Sequence, residues 1–379
     1  MWEVLGGVIG GAALAFAAAE LGVRAVHRRR GAAWPMEPNS EIRLEIDRDA
    51  LPALEPVARF RVNADGERGD PLPRDWRDTY RVIVAGGSAA ECFYLDQDTQ
   101  WPAVVQRELQ RHAVALGVRR VHVGNIARSM QRCEYVAWML EKMLPRLPRL
   151  DAVVLMVGAS DLVMWMQEGC PPTIPAARPE PGYCFQQHDF GPYGWSPSKL
   201  ALREALKRLK NRWAPAVLVR PRAGKSFAKN RAARQRATKL TEAPERAAML
   251  AHYEVWLRRT IEAARATGAR VLVARQPWLQ RDFTPEEEAF EWNFGLGRPY
   301  QEEVSTYFDL KLVHRLLAEL DAVSARVAAD LGVEALDLRA RLAPTFEVFY
   351  DTLHNTPAGC AAVGKLVAEA LLPPAPVRG

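Results

Sequence analysis

Two short segments near opposite ends of the chain carry side chains that can do chemistry together. The first is Gly86-Gly87-Ser88-Ala89-Ala90-Glu91, which follows the apolar run Arg81-Val82-Ile83-Val84-Ala85. A serine in a strand-to-helix turn presents its hydroxyl, and the helix amino terminus stabilises an anion beside it. That hydroxyl is a weak nucleophile until a base takes its proton, and the base needs a carboxylate to fix its tautomer. The second segment, Asp351-Thr352-Leu353-His354, offers such a pair on one loop and continues as Asn355-Thr356-Pro357-Ala358-Gly359. Rival readings of the first turn fail. No Gly-Lys-Ser/Thr follows it, which excludes a phosphate loop, and GxGxxG is absent. Without a CxxC pair or HExxH, no metal site is expected.

The elements that must position these residues alternate along the chain. Short apolar runs at Tyr80 to Ala85, Val118 to Val123, Asp151 to Val157, Ala269 to Ala274 and Val333 to Leu338 read as strands. Between them, Asp98 to Leu116, Glu134 to Leu144, residues 198–212 and 240–267, Tyr300 to Leu331 and Pro357 to Leu372 read as helices. Continuous apolar strands separated by helices predict a five-stranded parallel sheet covered on both faces. Right-handed crossovers make that a three-layer, doubly wound, flavodoxin-like α/β domain, with its sites at the carboxyl ends of the strands.

Both ends of the composition matter. Apolar residues make up 49% and charged residues 25%, which excludes a disordered chain. Val4 to Ala19 carry no charge, Glu20 interrupts, and Arg24 and Arg28-Arg29-Arg30 follow. The segment 2–26 is expected to cross a membrane once, with residues 1–30 as anchor and basic flank. A cleaved signal peptide is the rival reading, weakened by the lack of a basic start. Residues 31–79 read as a linker and short cap. From Lys199 to Lys239 there are fourteen Lys/Arg and one acid, Glu204, on a chain whose net charge is +6. That stretch is expected to be a solvated face or to meet anionic lipid. No nucleic-acid motif accompanies it.

Taken together, the segments resemble the SGNH/GDSL hydrolase family. The family's first block matches Val82 to Ser88, and its last, Asp-x-x-His-x-x-x-x-Gly, matches Asp351 to Gly359. Gly158-Ala159-Ser160-Asp161 looks like its Gly-x-Asn-Asp block. Val62-Asn63-Ala64-Asp65-Gly66-Glu67-Arg68-Gly69 resembles the Asn-x-x-Gly-x-Arg approach segment of membrane-anchored members. The resemblance covers roughly 60–375 and implies a hydrolase-like domain over 80–379, with a basic, Pro-rich insertion at about 165–265. It further implies that Ser88 attacks an ester carbonyl, His354 is the base and Asp351 orients it, without a cofactor. Gly87, Asn125, Met130 and Ser160 are the expected oxyanion and substrate residues. Two of these depart from pattern: Met130 stands at a glycine position, as does Ala127, and Ser160 replaces an asparagine. The implied substrate is a short acyl, acetyl-type ester, on a small molecule or a polysaccharide. The same serine in a carbohydrate O-acyltransferase, or a catalytically weak binding protein, are the alternatives.

Orientation in the membrane draws opposite expectations. The basic flank favours a cytoplasmic body, whereas the family resemblance favours an extracytoplasmic one. Cys170 and Cys184 flank CPPTIPAARPEPGYC with 13 residues between them. A disulfide there would be worth about 3 kcal/mol and would persist in an oxidising compartment. That bond, and with it an extracytoplasmic body, is the expectation.

Overall fold

A computed structural model describes residues 2–30, 33–175, 181–188 and 194–373. It opens with α1 (Trp2–Arg30), β1 (Ala33–Trp34), β2 (Ser40–Ile46) and β3 (Val57–Val62). An alternating part follows: β4 (Thr79–Gly86), α2 (Ser88–Glu91), α3 (Trp101–Arg111), β5 (Arg120–Asn125), α4 (Cys133–Met143), β6 (Ala152–Met156) and α5 (Ala159–Gln167). It is interrupted by α6 (Pro181–Cys184), β7 (Gln187–His188), α7 (Ala201–Trp213), β8 (Ala216–Ala223), α8 (Lys225–Arg236) and β9 (Thr238–Leu240). Then come α9 (Ala247–Arg265), β10 (Arg270–Arg275), α10 (Pro285–Glu288), β11 (Thr306–Phe308), α11 (Leu310–Asp330), β12 (Glu334–Asp337) and α12 (Pro357–Leu371).

The five expected strands form one parallel sheet in the order β12-β10-β6-β4-β5. Side chains alternate across it, as the strand period of two requires. Val82, Val84, Val154 and Met156 face α3 and α12, while Ile83, Ala85, Val153 and Leu155 face α4, α9 and α11. Both faces are apolar because both are covered. Helices α3 and α12 approach closely: a side chain on Gly364 would put Cβ 2.4 Å from Val104 Cβ. Strand order reverses between β4 and β6, which opens a crevice at their carboxyl ends.

Several elements differ from expectation. Residues 31–79, read as linker and cap, contain β2 and β3, paired antiparallel from Ser40↔Val62 to Glu45↔Val57. Strand β8, from the basic segment, adds in parallel on the other edge of β2. The helix expected over Tyr300 to Leu331 begins only at Leu310, where the Asp309 side chain caps it by accepting from Lys311 N. Before it, the β-prone Thr306-Tyr307-Phe308 pairs with β9.

The basic segment is only partly a solvated face. Arg231 donates to the carbonyls of Ala50 and Phe290, and Arg234 to those of Asn293 and Phe308. Arg234 is 1% exposed. A guanidinium has five donors in a fixed fork, so it can tie several loops together where backbone carbonyls lack strand partners. These two arginines therefore hold the interruption onto the body and do not face lipid.

Helix α1 keeps its apolar surface uncovered. Within Gly6–Arg29 it holds an apolar stretch of mean hydropathy 1.6, 6% of it buried, and the helix is long and apolar enough to cross a membrane. Glu20, the acid that interrupts its apolar stretch, is used by the body. The buried Glu20 carboxylate accepts from Ala201 N and Leu202 N, both at 2.8 Å, so it caps the amino terminus of α7. Arg24 pairs with Glu20 and donates to Gly194 O.

Truncating a buried fork leaves its carbonyls without donors, and each costs about 1–3 kcal/mol. Arg234→Ala is expected to lower unfolding free energy by about 2–4 kcal/mol, and Arg236→Ala, on the exposed side of α8, by about 0.5 kcal/mol or less. Denaturant unfolding of both variants checks this. Equal effects would remove the strut role.

Candidate active site

Ser88 is the first residue of α2, immediately beyond β4, and Asp351 and His354 lie on the loop before α12. The sheet brings these ends together across 266 residues. Ser88 Oγ is 2.8 Å from His354 Nε2, and His354 Nδ1 is 2.8 and 2.9 Å from the two Asp351 oxygens. Asp351 also accepts from Leu353 N, His354 N and Trp292 Nε1 at 2.8, 2.8 and 3.0 Å. Such a carboxylate stays an acceptor toward Nδ1–H and leaves Nε2 to accept from the serine. The imidazole lies nearly parallel to the rings of Trp292 and Tyr350, with interplanar angles of 10° and 11°. Burial pulls the imidazolium pKa down, but the charge and hydrogen bond of Asp351 outweigh it and leave the group above the ordinary histidine value.

The other expected residues separate into those at the cleft and those behind it. Ser160 lines the cleft at the start of α5. A Cβ on Gly87 would fall 2.4 Å from Ser160 Oγ, so only glycine lets that hydroxyl sit against the nucleophile turn. The Gly87 N–H itself is used by Met156 O. Met130 also lines the cleft, with φ 62°, and its N–H has no acceptor among the described residues. It thus adopts the left-handed backbone of a glycine position. Asn125 does not reach the cleft. Its amide donates to Ala90 O and Gln100 Oε1 and accepts from Ala127 N, holding α2 from behind. Asp161 accepts from Cys133 N at the start of α4, and burial pushes its carboxyl up to about 7.

Some residues were missed because nothing local marks them. Glu91 is buried at the cleft wall and accepts from Ser129 N and its hydroxyl, which fixes the chain before Met130. Burial raises its pKa, against the Ser129 bonds. Trp292, Tyr94 and Tyr300 add aromatic walls, and β8 and α8 contribute Arg220 and Phe227 to a cleft of about 370 Å³. Arg68 sits behind, donating to the carbonyls of Glu91, Cys92 and Leu95 at 2.7, 2.8 and 2.6 Å. The Asn-x-x-Gly-x-Arg resemblance thus has a local cause: Asn63 closes an Asx turn onto Asp65 N and Glu67 N that aims Arg68 inward.

The expected Cys170–Cys184 disulfide is not formed. Both are free thiols, burial pushes both up to about 12, and Cys184 donates to Tyr135 O. Residues 176–180 of that loop lie outside the described residues.

No family model matches the chain, and no curated protein matches it. Solved structures give distant likenesses. The acetyl xylan esterase AlAXEase is 11% identical over 77% of this chain and 99% of its own, with a TM-score of 0.41. Est24, a carbohydrate acetylesterase from Sinorhizobium meliloti, is 11% identical over 77% and 98%, with 0.40. A lipolytic G-D-S-L family protein from Veillonella parvula is 10% identical over 77% and 98%, with 0.39. At that distance none of them carries a role for any residue, and the chemistry rests on this chain's own geometry.

To accept a proton, His354 must be neutral, so activity is expected to rise with pH through a midpoint above the ordinary histidine value of about 6.5. Removing the Asp351 charge takes away the largest of the effects that oppose burial. In Asp351→Asn the residual rate is expected to have a midpoint below that value. Profiles of kcat/KM against pH on an uncharged ester check this, and an unchanged midpoint would remove the electrostatic role of Asp351.

Proposed function

We propose that this chain is a serine esterase, anchored by α1, that hydrolyses short acyl esters. The observation that carries the reading is the hydrogen-bonded line from Ser88 Oγ through His354 to the buried Asp351, at the wall of an open cleft. Ser88 attacks the ester carbonyl as His354 Nε2 takes its proton. The resulting imidazolium is stabilised by Asp351, then protonates the departing alkoxide. A water molecule activated by the same imidazole releases the acid. Ser88 N–H, at the amino terminus of α2, and the Met130 N–H are the backbone donors available for the oxyanion, with the Ser160 hydroxyl beside them. The rings of Tyr94, Trp292 and Tyr300 support a carbohydrate as the alcohol, since a sugar face packs on an aromatic one.

The anchor belongs to the same proposal. Val8, Ile9, Leu14 and Phe16 are exposed on α1, and the acid that would oppose insertion is bonded to α7. Exposed Leu206, Leu209 and Trp213 on basic α7 support lipid contact there, in place of the buried Arg231 and Arg234. With Cys170 and Cys184 unpaired, the cysteines no longer oppose the cytoplasmic placement that the Arg28–Arg30 flank favours.

The test is hydrolysis of 4-nitrophenyl acetate. Ser88→Ala and His354→Ala are each expected to lower kcat by at least about 10⁴-fold, and the double variant to be little worse, because the two act as a unit. Undiminished activity in Ser88→Ala would overturn the reading. A folded variant Ser160→Ala is expected to lose about 10²-fold in kcat with little change in KM, if its hydroxyl donates to the oxyanion.

A further inference from the structure

The cleft has one wall that belongs to the interruption, and that wall carries a charge. Arg220 stands on β8, the outer strand of the small sheet, and reaches the cleft over the Phe93 ring, with Cζ 5.6 Å from the centroid. Two residues further on, past a bulge in the strand, Arg222 is neutralised by Asp47 at 3.1 Å. Arg220 has no carboxylate within ion-pair distance among the described residues. The remaining lining side chains are aromatic, apolar or uncharged polar, apart from His354 and Glu91. The Glu91 carboxyl is engaged by Ser129, accepting from its N–H and hydroxyl. A guanidinium is always charged and presents a planar fork matched to carboxylate and phosphate oxygens. It stands here exposed at the rim of a cleft walled by aromatic rings, so its pull on an anion is moderated by solvent and salt.

We propose that Arg220 selects an ester substrate bearing an anionic group, a carboxylate or phosphate, whose oxygens dock on its guanidinium while the ester reaches Ser88. This rests on the esterase reading and narrows its substrate class. The interruption then has a use beyond covering the sheet, since β8 carries the selecting charge into the site.

The experiment separates the two ideas. Binding of 4-acetoxybenzoate and of its uncharged methyl ester to the full-length Ser88→Ala protein in neutral detergent is read by tryptophan fluorescence, with Trp292 in the wall. The carboxylate is expected to bind about three- to fivefold more tightly than the methyl ester, as for an exposed ion pair. Adding Arg220→Gln is expected to erase that preference, and Arg220→Lys to keep part of it. With Ser88 restored, the ratio of kcat/KM for the two esters is expected to fall by the same factor in Arg220→Gln. Equal binding of the two esters, or a preference that survives Arg220→Gln, would overturn the proposal. Failure of the wild type to turn over either ester would instead overturn the esterase reading, and the binding ratio would still decide the role of Arg220. Circular dichroism of Arg220→Lys and Arg220→Gln checks that both are folded.

Discussion

The site depends on one buried carboxylate. Asp351 is 2% exposed, and an ion so placed is costly unless its oxygens are saturated with donors. Here they are: two backbone N–H groups of its own loop, the Trp292 indole and the His354 ring fill them. Those bonds tie the 290s loop to the 350s loop and fix the face of the imidazole. The ring is then aimed at Ser88, which the sheet delivers from the far end of the chain. Glu291, also buried, secures the loop again by accepting from Thr352 N and its hydroxyl. Burial and the neighbouring Asp351 push its pKa up.

The Ser88 side of the cleft is held by a complementary device. Arg68 is fully buried and places three hydrogen bonds on carbonyls at the end of α2 and just beyond it, where the backbone leaves helical geometry at Cys92 with φ 53°. Asn125 holds the same helix through Ala90 O. A four-residue helix cannot sustain its own geometry, so these polar struts position Ser88. Asn125, expected at the reaction centre, thus acts from behind through the backbone.

Much of this was legible in the sequence, for physical reasons. The covered stretch of a parallel strand reads as a continuous apolar run, and the runs in β4, β6 and β10 mark those strands within a residue or two of their observed ends. The Ser88 turn and the Asp351–His354 pair were visible because they are local motifs. The small sheet was not. β3 alternates cleanly, with Ala58, Phe60 and Val62 inward, but six residues of period two are hidden among prolines and charges. Arg231 and Arg234 read as surface because charge predicts exposure. Their burial depends on unpaired carbonyls at Ala50, Phe290, Asn293 and Phe308, which no local pattern shows. The disulfide expectation failed similarly, since spacing alone cannot say where two thiols point. Trp292 and Arg220 reach the cleft only through tertiary packing, so no motif could have named them.

The central claim is that Ser88 is activated by the histidine at rest, before any substrate is chosen. Labelling with a fluorophosphonate tests it directly, because only an activated serine reacts quickly with that electrophile. The account predicts one label on the wild-type protein, mapped to Ser88 by peptide mass, with labelling strongly slowed in His354→Ala. A wild-type protein that takes up no label, or a label that persists in Ser88→Ala, would contradict it.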